Sequence, residues 1–451
     1  MLNRKIIAAL LAAAITLCGV SVFAADPVQG EASEQPEAAA AVPAEAPEEE
    51  PAAAPAEDTY APETTAEAPQ EAAAAEQEAP AEVTPDPVGS VSFANLGSRV
   101  RENNFNMLAL TETIASIQAV DYDKMKDDLK DSLKLLANTS YYLSVTGNSF
   151  AANSVQQQYD SLKNTWDDLK DGKIQEDYDA AVRQLENAQD QIVMAAESLY
   201  IALVELEQND RSLERQLNAL DRTIQELELR YDLGQISALT LQQAKAGRTS
   251  LVSGRQTLNM NLSNYKTQLE LMIGAELSGK IKLQTLPQVS AQELAAMDLE
   301  KDLAAAKANS YDLFAAKRTL DDAKETYSDT GKEYGYNENL YQYASAKHTW
   351  EAAQYTYSAS IQNFENSFRV LYNQVKDYQQ VLAAAKTALE VEKSNNAVDQ
   401  LKYEQGTISK NTLLTAEDDL SAAQDKVTGA AIDLFAAYHN YRWAVDRGIL
   451  N

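Results

Sequence analysis

Side chains able to carry acid–base, nucleophilic or metal chemistry are sparse in this 451-residue chain. The two histidines, His348 and His439, lie far apart in helix-like sequence, where a satisfied or exposed histidine is the default over a base or ligand. Acidic pairs such as Asp127-Asp128 and Asp418-Asp419 are neighbours on helical sequence, so their carboxylates point to different sides and read as solvated faces. The single cysteine, Cys18, falls in an N-terminal leader, which leaves the rest of the chain without a thiolate ligand, a disulfide or a sulfur nucleophile. There is no Gly-rich phosphate loop and no nucleophile motif. The reading is a protein that is not an enzyme and holds neither cofactor nor metal.

What recurs is a small glycine-centred element. "RYDLGQISALTLQQA" begins at Arg230 and "KYEQGTISKNTLLTA" at Lys402, so Tyr231, Gly234, Ile236 and Ser237 return 172 positions later as Tyr403, Gly406, Ile408 and Ser409. Glycine can take the left-handed conformation that closes a helix. A serine three residues on is placed to cap the next one. Each element therefore reads as the bend of a helical hairpin, and both bends are expected at one end of a rod.

The elements that must position these bends are long helices. From Ile192 the positions Ala196, Leu199, Leu203, Leu206, Asp210, Leu213, Leu217, Leu220, Ile224, Leu227 and Tyr231 alternate by four and three, broken only by Asp210. Phe364, Phe368, Leu371, Val375, Tyr378, Leu382, Ala385 and Leu389 keep the same spacing, which weakens at Asn395-Asn396 and is expected to resume at Val398 and Leu401. Seams this long argue coiled coil. Leu199-Tyr200 and Leu371-Tyr372 share the 172-residue offset, so whole hairpins are duplicated. Proline agrees. Eleven of twelve lie between Pro27 and Pro87, and the twelfth, Pro287, falls between the two copies, where it marks a seam between halves.

The organisation read from this is fourfold. Residues 1–25 form a secretory signal peptide, with Arg4-Lys5 before an apolar run and Val22-Phe23-Ala24 at the cleavage site. Residues 26–90 form an acidic Ala/Glu/Pro linker, expected to be disordered. Two helical repeats follow at 91–286 and 287–451. The net charge is −30, and residues 26–87 carry 17 acids and no base, so there is no basic stripe for nucleic acid.

A two-fold repeat of long hairpins turning at Tyr-x-x-Gly-x-Ile-Ser behind a signal peptide resembles the TolC-like outer-membrane efflux proteins. "ENNFNML" from Glu102 and "ANSYDLF" from Ala308 look like that family's half-repeat openings, with Phe105 and Tyr311 where Asn-Pro-x-Leu has proline. Each half also closes on a Tyr-bearing helix that runs to Gly274 or Gly448. The resemblance implies a mainly α fold of antiparallel coiled-coil hairpins in two tandem repeats. It implies a homotrimer in the outer membrane or periplasm, serving as the exit duct of an efflux or type I secretion assembly with an outer-membrane contact. Its partners would be a periplasmic adaptor and an inner-membrane pump, with the adaptor meeting Tyr231, Leu233, Gly234, Ile236, Ser237, Tyr403, Gly406, Ile408 and Ser409.

The chain departs from that family in one respect. Membrane strand pairs would alternate apolar and polar residues over about ten positions each. The only candidates, Ser140–Phe150 and Glu333–Ser345, are too short, so the β-barrel is expected to be reduced or absent. This keeps a second reading open, a helical envelope spacer or tether without a conduit. Tyrosines crowd 327–357, either as a membrane-interface belt or as packing at the far end of the second hairpin.

Overall fold

The computed structural model describes residues 86–450, so the leader and the linker up to residue 85 lie outside the described residues. The first half runs β1 (Ser90–Val91), α1 (Phe93–Asn103), α2 (Phe105–Gln118), α3 (Tyr122–Val145), α4 (Ser149–Lys170), α5 (Lys173–Asp232) and α6 (Ala238–Met272). After β2 (Lys282–Leu283), which closes the first half, the second runs α7 (Ala291–Ala295), α8 (Leu299–Asn309), α9 (Tyr311–Tyr334), α10 (Tyr341–Glu404) and α11 (Lys410–Arg447). With 60 and 64 residues, α5 and α10 are each about 90 Å long or more. Pro287 lies in the connection between the halves, between β2 and α7.

The seam of α5 behaves as its spacing requires. Ile192, Ala196, Leu203, Leu217 and Ile224 are buried, and the other stripe positions are half-buried until Tyr231 emerges. Asp210, the one break, meets Arg255 of α6 at 2.7 and 3.0 Å, and Arg255 also reaches Glu214 at 3.1 Å. Two hydrogen bonds from that guanidinium hold the Asp210 carboxyl below its ordinary range, against the upward pull of burial. In α10 the seam is buried from Phe364 to Val375 and half-buried as far as Leu389. Beyond that the expectation fails, because Val398 and Leu401 are exposed. Continuing the four–three alternation from Leu389 gives Glu392, Asn396 and Asp399, which are half-buried. The seam keeps its register but turns polar, and the apolar residues near the turn sit off it.

Packing sets a lateral order. α6 packs on α5, α5 on α11, and α11 on α10, which leaves α6 and α10 as edges. The middle pair joins the halves through a ladder of polar contacts. From the far end towards the turns, these are Arg447 with Asp190 at 3.5 Å, Arg215 and Gln208 with Asp425, Arg222 with Asp418, and Asn411 with Glu226 at 2.9 Å. Both hairpin bends therefore lie at one end.

The main core is a collar towards the other end, where short helices thicken the hairpins. Val91, Leu96, Val100, Met107, Ile192, Tyr200, Leu203, Leu269 and Ile273 form the first cluster. Leu303, Ala306, Leu313, Phe364, Phe368, Leu434, Tyr441 and Ala444 form the second. Ile201, Ile432 and Phe435 bridge them. The two opening motifs sit at matching places. Asn104 caps α2 by accepting from the backbone N–H of Asn106 and Met107, and donates to the Met272 carbonyl at the end of α6. Ser310 caps α9, and its neighbour Asn309 donates to the Val445 carbonyl near the end of α11. Phe105 and Tyr311 are thus the first helical residues, preceded by extended backbone, which is where a helix tolerates proline.

Two boundary and barrel expectations meet the coordinates here. Asp86 to Ser90, assigned to the linker, are seated on the body. The Asp86 carboxylate accepts from the Ser92 N–H at 3.1 Å and from Asn95 at 2.9 Å, and Ser90–Val91 pair in parallel with Lys282–Leu283. Those two-residue strands are the only ones among the described residues. Ser140–Phe150 is the turn of the helical hairpin α3–α4, and Glu333–Ser345 is the turn between α9 and α10.

Candidate docking turns

The two glycine elements fold alike because their sequences impose the same closure. In the first, Gly234 takes φ +71° and its N–H donates to the Tyr231 carbonyl at 2.8 Å, while the Gln235 N–H reaches the Arg230 carbonyl at 2.8 Å. In the second, Gly406 takes φ +70°, with Gly406 N–H to Tyr403 and Thr407 N–H to Lys402, both at 2.9 Å. This paired closure satisfies carbonyls that the helix end would leave open. The Ser237 hydroxyl then accepts from the Thr240 N–H at 3.2 Å, and the Ser409 hydroxyl from Thr412 at 3.1 Å, so each starts the next helix. Five residues separate one helix from the next, Leu233 to Ser237 in the first turn and Gln405 to Ser409 in the second.

The surface these turns present differs from the expected one. Ile236 and Ile408 are half-buried. The exposed apolar residues are Tyr231, Leu233 and Tyr403, joined by Leu229, Leu239 and Leu401. Leu229 and Leu401 had a legible signal, since they lie off the seam positions that the four–three spacing assigns to packing. A Cβ on Gly234 or Gly406 would meet nothing within 4 Å, so the turns are open on the outside.

The chemistry-bearing residues land elsewhere. His348 is exposed beside Glu351 at 3.3 Å. His439 sits in the collar with its Nε2 3.0 Å from Glu197, where the Trp443 indole N–H also donates to Glu197 at 2.8 Å, and its ring stacks on Phe435. That cluster clasps α11 to α5. Among the described residues no group of three or more His, Cys, Asp or Glu is placed to hold a metal. Several tyrosines of 327–357 pack together: Tyr327 stacks on Trp350 and Tyr343 at centroid distances of 4.9 and 5.3 Å, and Tyr336 meets Tyr343 edge-on. The Tyr327–Tyr343 hydroxyl contact and burial push the Tyr343 phenol up to about 12. Tyr341 and Tyr355 remain exposed.

By sequence, no protein-family model and no curated protein matches the chain. Solved structures match its fold. The outer-membrane channel OprN is 13% identical, with 79% of this chain and 90% of that one aligned and a TM-score of 0.50. CusC, described in terms of transmembrane channel formation, is 14% identical over 79% and 96%, with a TM-score of 0.46. The outer membrane protein VceC from Vibrio cholerae is 16% identical over 60% and 72%, with a TM-score of 0.40. At such identities the likeness is one of fold, and OprN carries it. The chain is a two-repeat helical-hairpin protein of TolC-like architecture.

Proposed function

We propose that three copies of this chain close into a helical exit duct of the cell envelope, a non-enzymatic component of an efflux or secretion assembly. The observation that carries this reading is a pair of outer stripes, on α6 and α10, that no other described element covers. On α6, Leu239, Ala246, Ser253 and Met260 recur at seven-residue intervals, all exposed, with Val252 beside them. On α10, Ala384, Val391 and Val398 do the same, flanked by Ala388 and Leu401. Two uncharged heptad stripes on opposite edges of one layer suit a head-to-tail contact, and such a contact makes a ring where its rotation divides a full turn. The fold shared with an outer-membrane channel supports the envelope setting. The ring would present six glycine turns at one end, where a periplasmic adaptor docks and leads to an inner-membrane pump.

A second reading is a spacer or tether without a conduit, favoured by the helical hairpins that stand where membrane strands were looked for. Mass measurement of the purified chain with and without detergent separates the two. The duct requires a trimer in at least one condition, and Val391→Asp with Val398→Asp should reduce it to monomers of unchanged helicity. A wild-type monomer in both conditions leaves the spacer standing and removes the duct.

A further inference from the structure

We propose that the turn joining α3 and α4 is a lipid-interface anchor, through which a helical hairpin engages the headgroup–acyl boundary of a bilayer. The proposal rests on the envelope placement above but not on ring closure. The hairpin leaves the body after Val120 and returns at Gly172, beyond the N-terminal end of α5. It has little core of its own. α3 buries no residue along its 24, and α4 buries only Ala152 and Leu169.

Its turn carries bulky side chains that nothing among the described residues covers: Tyr141 is 73% exposed, Tyr142 68%, Val145 69% and Phe150 86%. The charge pattern says what kind of surface fits. From Leu135 to Tyr159 there is no Asp, Glu, Lys or Arg, although charged residues make up 24% of the chain. At about 1.5 Å per residue, charge stays roughly 16 Å from the turn along either helix. An interfacial element sinks about 5–10 Å, so the turn reaches that depth without dehydrating any charge. The small polar residues there, Ser144, Thr146, Asn148 and Ser149, suit the headgroup level, and Tyr is at home at membrane–water boundaries. No helix among the described residues is long and apolar enough to cross a membrane, so the engagement is one of resting in the interface. The turn between α9 and α10 is different, because Lys332, Glu333 and Glu338 flank it.

Vesicle flotation of the full chain tests this, using phosphatidylcholine vesicles with and without phosphatidylglycerol. Co-flotation with both lipids is expected, with little change on adding salt, because no basic patch is involved. The triple variant Tyr141→Ser, Tyr142→Ser, Phe150→Ser should bind about tenfold more weakly or worse at unchanged helicity. A Tyr142→Trp chain should show fluorescence quenching by brominated lipids. Absent wild-type flotation, equal binding by the triple variant, or an unquenched tryptophan would each overturn the proposal. So would an oligomer, formed without lipid, that the triple variant abolishes, since a second copy would then cover the turn. Loss of the trimer in the α10 variants bears on the duct alone and leaves this result readable.

Discussion

Glu270 shows what single residues contribute to the collar. Its side chain lies at the end of α6 and is 1% exposed. Its carboxylate accepts from the backbone N–H of Ser278 (2.6 Å), Gly279 (2.7 Å), Lys280 (3.0 Å) and Ile281 (3.1 Å), and from the Ser278 hydroxyl at 2.9 Å. Burial pulls its pKa up, but the hydrogen bonds led by those of Gly279 and Ser278 outweigh it and hold the group below the ordinary 4.5. A depressed folded pKa gives stability that is present above the unfolded value and lost as pH falls through the folded one. Glu270→Gln should therefore cost about 1–3 kcal/mol in urea unfolding at pH 7. The gap from wild type should narrow below about pH 4.5, where the unfolded carboxyl protonates. A gap constant from pH 7 to pH 3 would contradict this account. None of it was legible in the sequence, because a glutamate near a helix end looks like a solvated one until the loop folds back over it. Asp210 was half legible: its break in the stripe was plain, but Arg255, 45 positions away, was not.

At the scale of elements, the helices, their periods and the two bends were readable, because a four–three seam and a glycine closure each follow from local geometry. Two things were not. The polar continuation of the α10 seam through Glu392, Asn396 and Asp399 was misread as a gap, since apolar residues nearby drew attention off the true register. The half-burial of Ile236 and Ile408 depends on how tightly the closure folds under itself, which spacing does not encode. The glycine turns give an element-scale prediction. A Cβ at Gly234 or Gly406 meets nothing within 4 Å, so the cost of Gly234→Val or Gly406→Val is chiefly torsional, about 1–3 kcal/mol each. Helicity and abundance should hold while the turn surface is displaced. If the turns receive an adaptor, cells carrying either variant should lose export or drug tolerance. Normal export from both at normal protein level would count against docking there.

At the scale of the whole molecule, the duplicated halves are held side by side by the polar ladder between α5 and α11, with its contact nearest the turns at Asn411 and Glu226. The pairing of halves was foreseen in outline from the 172-residue offset, but its partners arise only once both halves are placed. Arg222→Glu should put like charges opposite Asp418 and weaken the turn end by up to about 1 kcal/mol, as partly exposed pairs do. Spin labels on cysteines introduced at Gln242 and Thr415 should then report a broader separation, and adding Asp418→Arg should narrow it again. No cysteine follows Cys18, so with that residue replaced by serine the labels would be unique. An unchanged distance distribution would show that apolar packing alone holds the turns together.

The halves are also unequal. The first carries the hairpin α3–α4 between its short helices and its long one, whereas in the second α9 turns at Tyr334–Tyr341 directly into the long α10. In a closed ring of three, long and short hairpins would alternate, and only the long ones bear the uncharged aromatic turn. The assembly would then stand on three feet. A tripod touches any surface at all its feet, flat or curved, without rocking. Such a seat demands no matching curvature from the membrane beneath it.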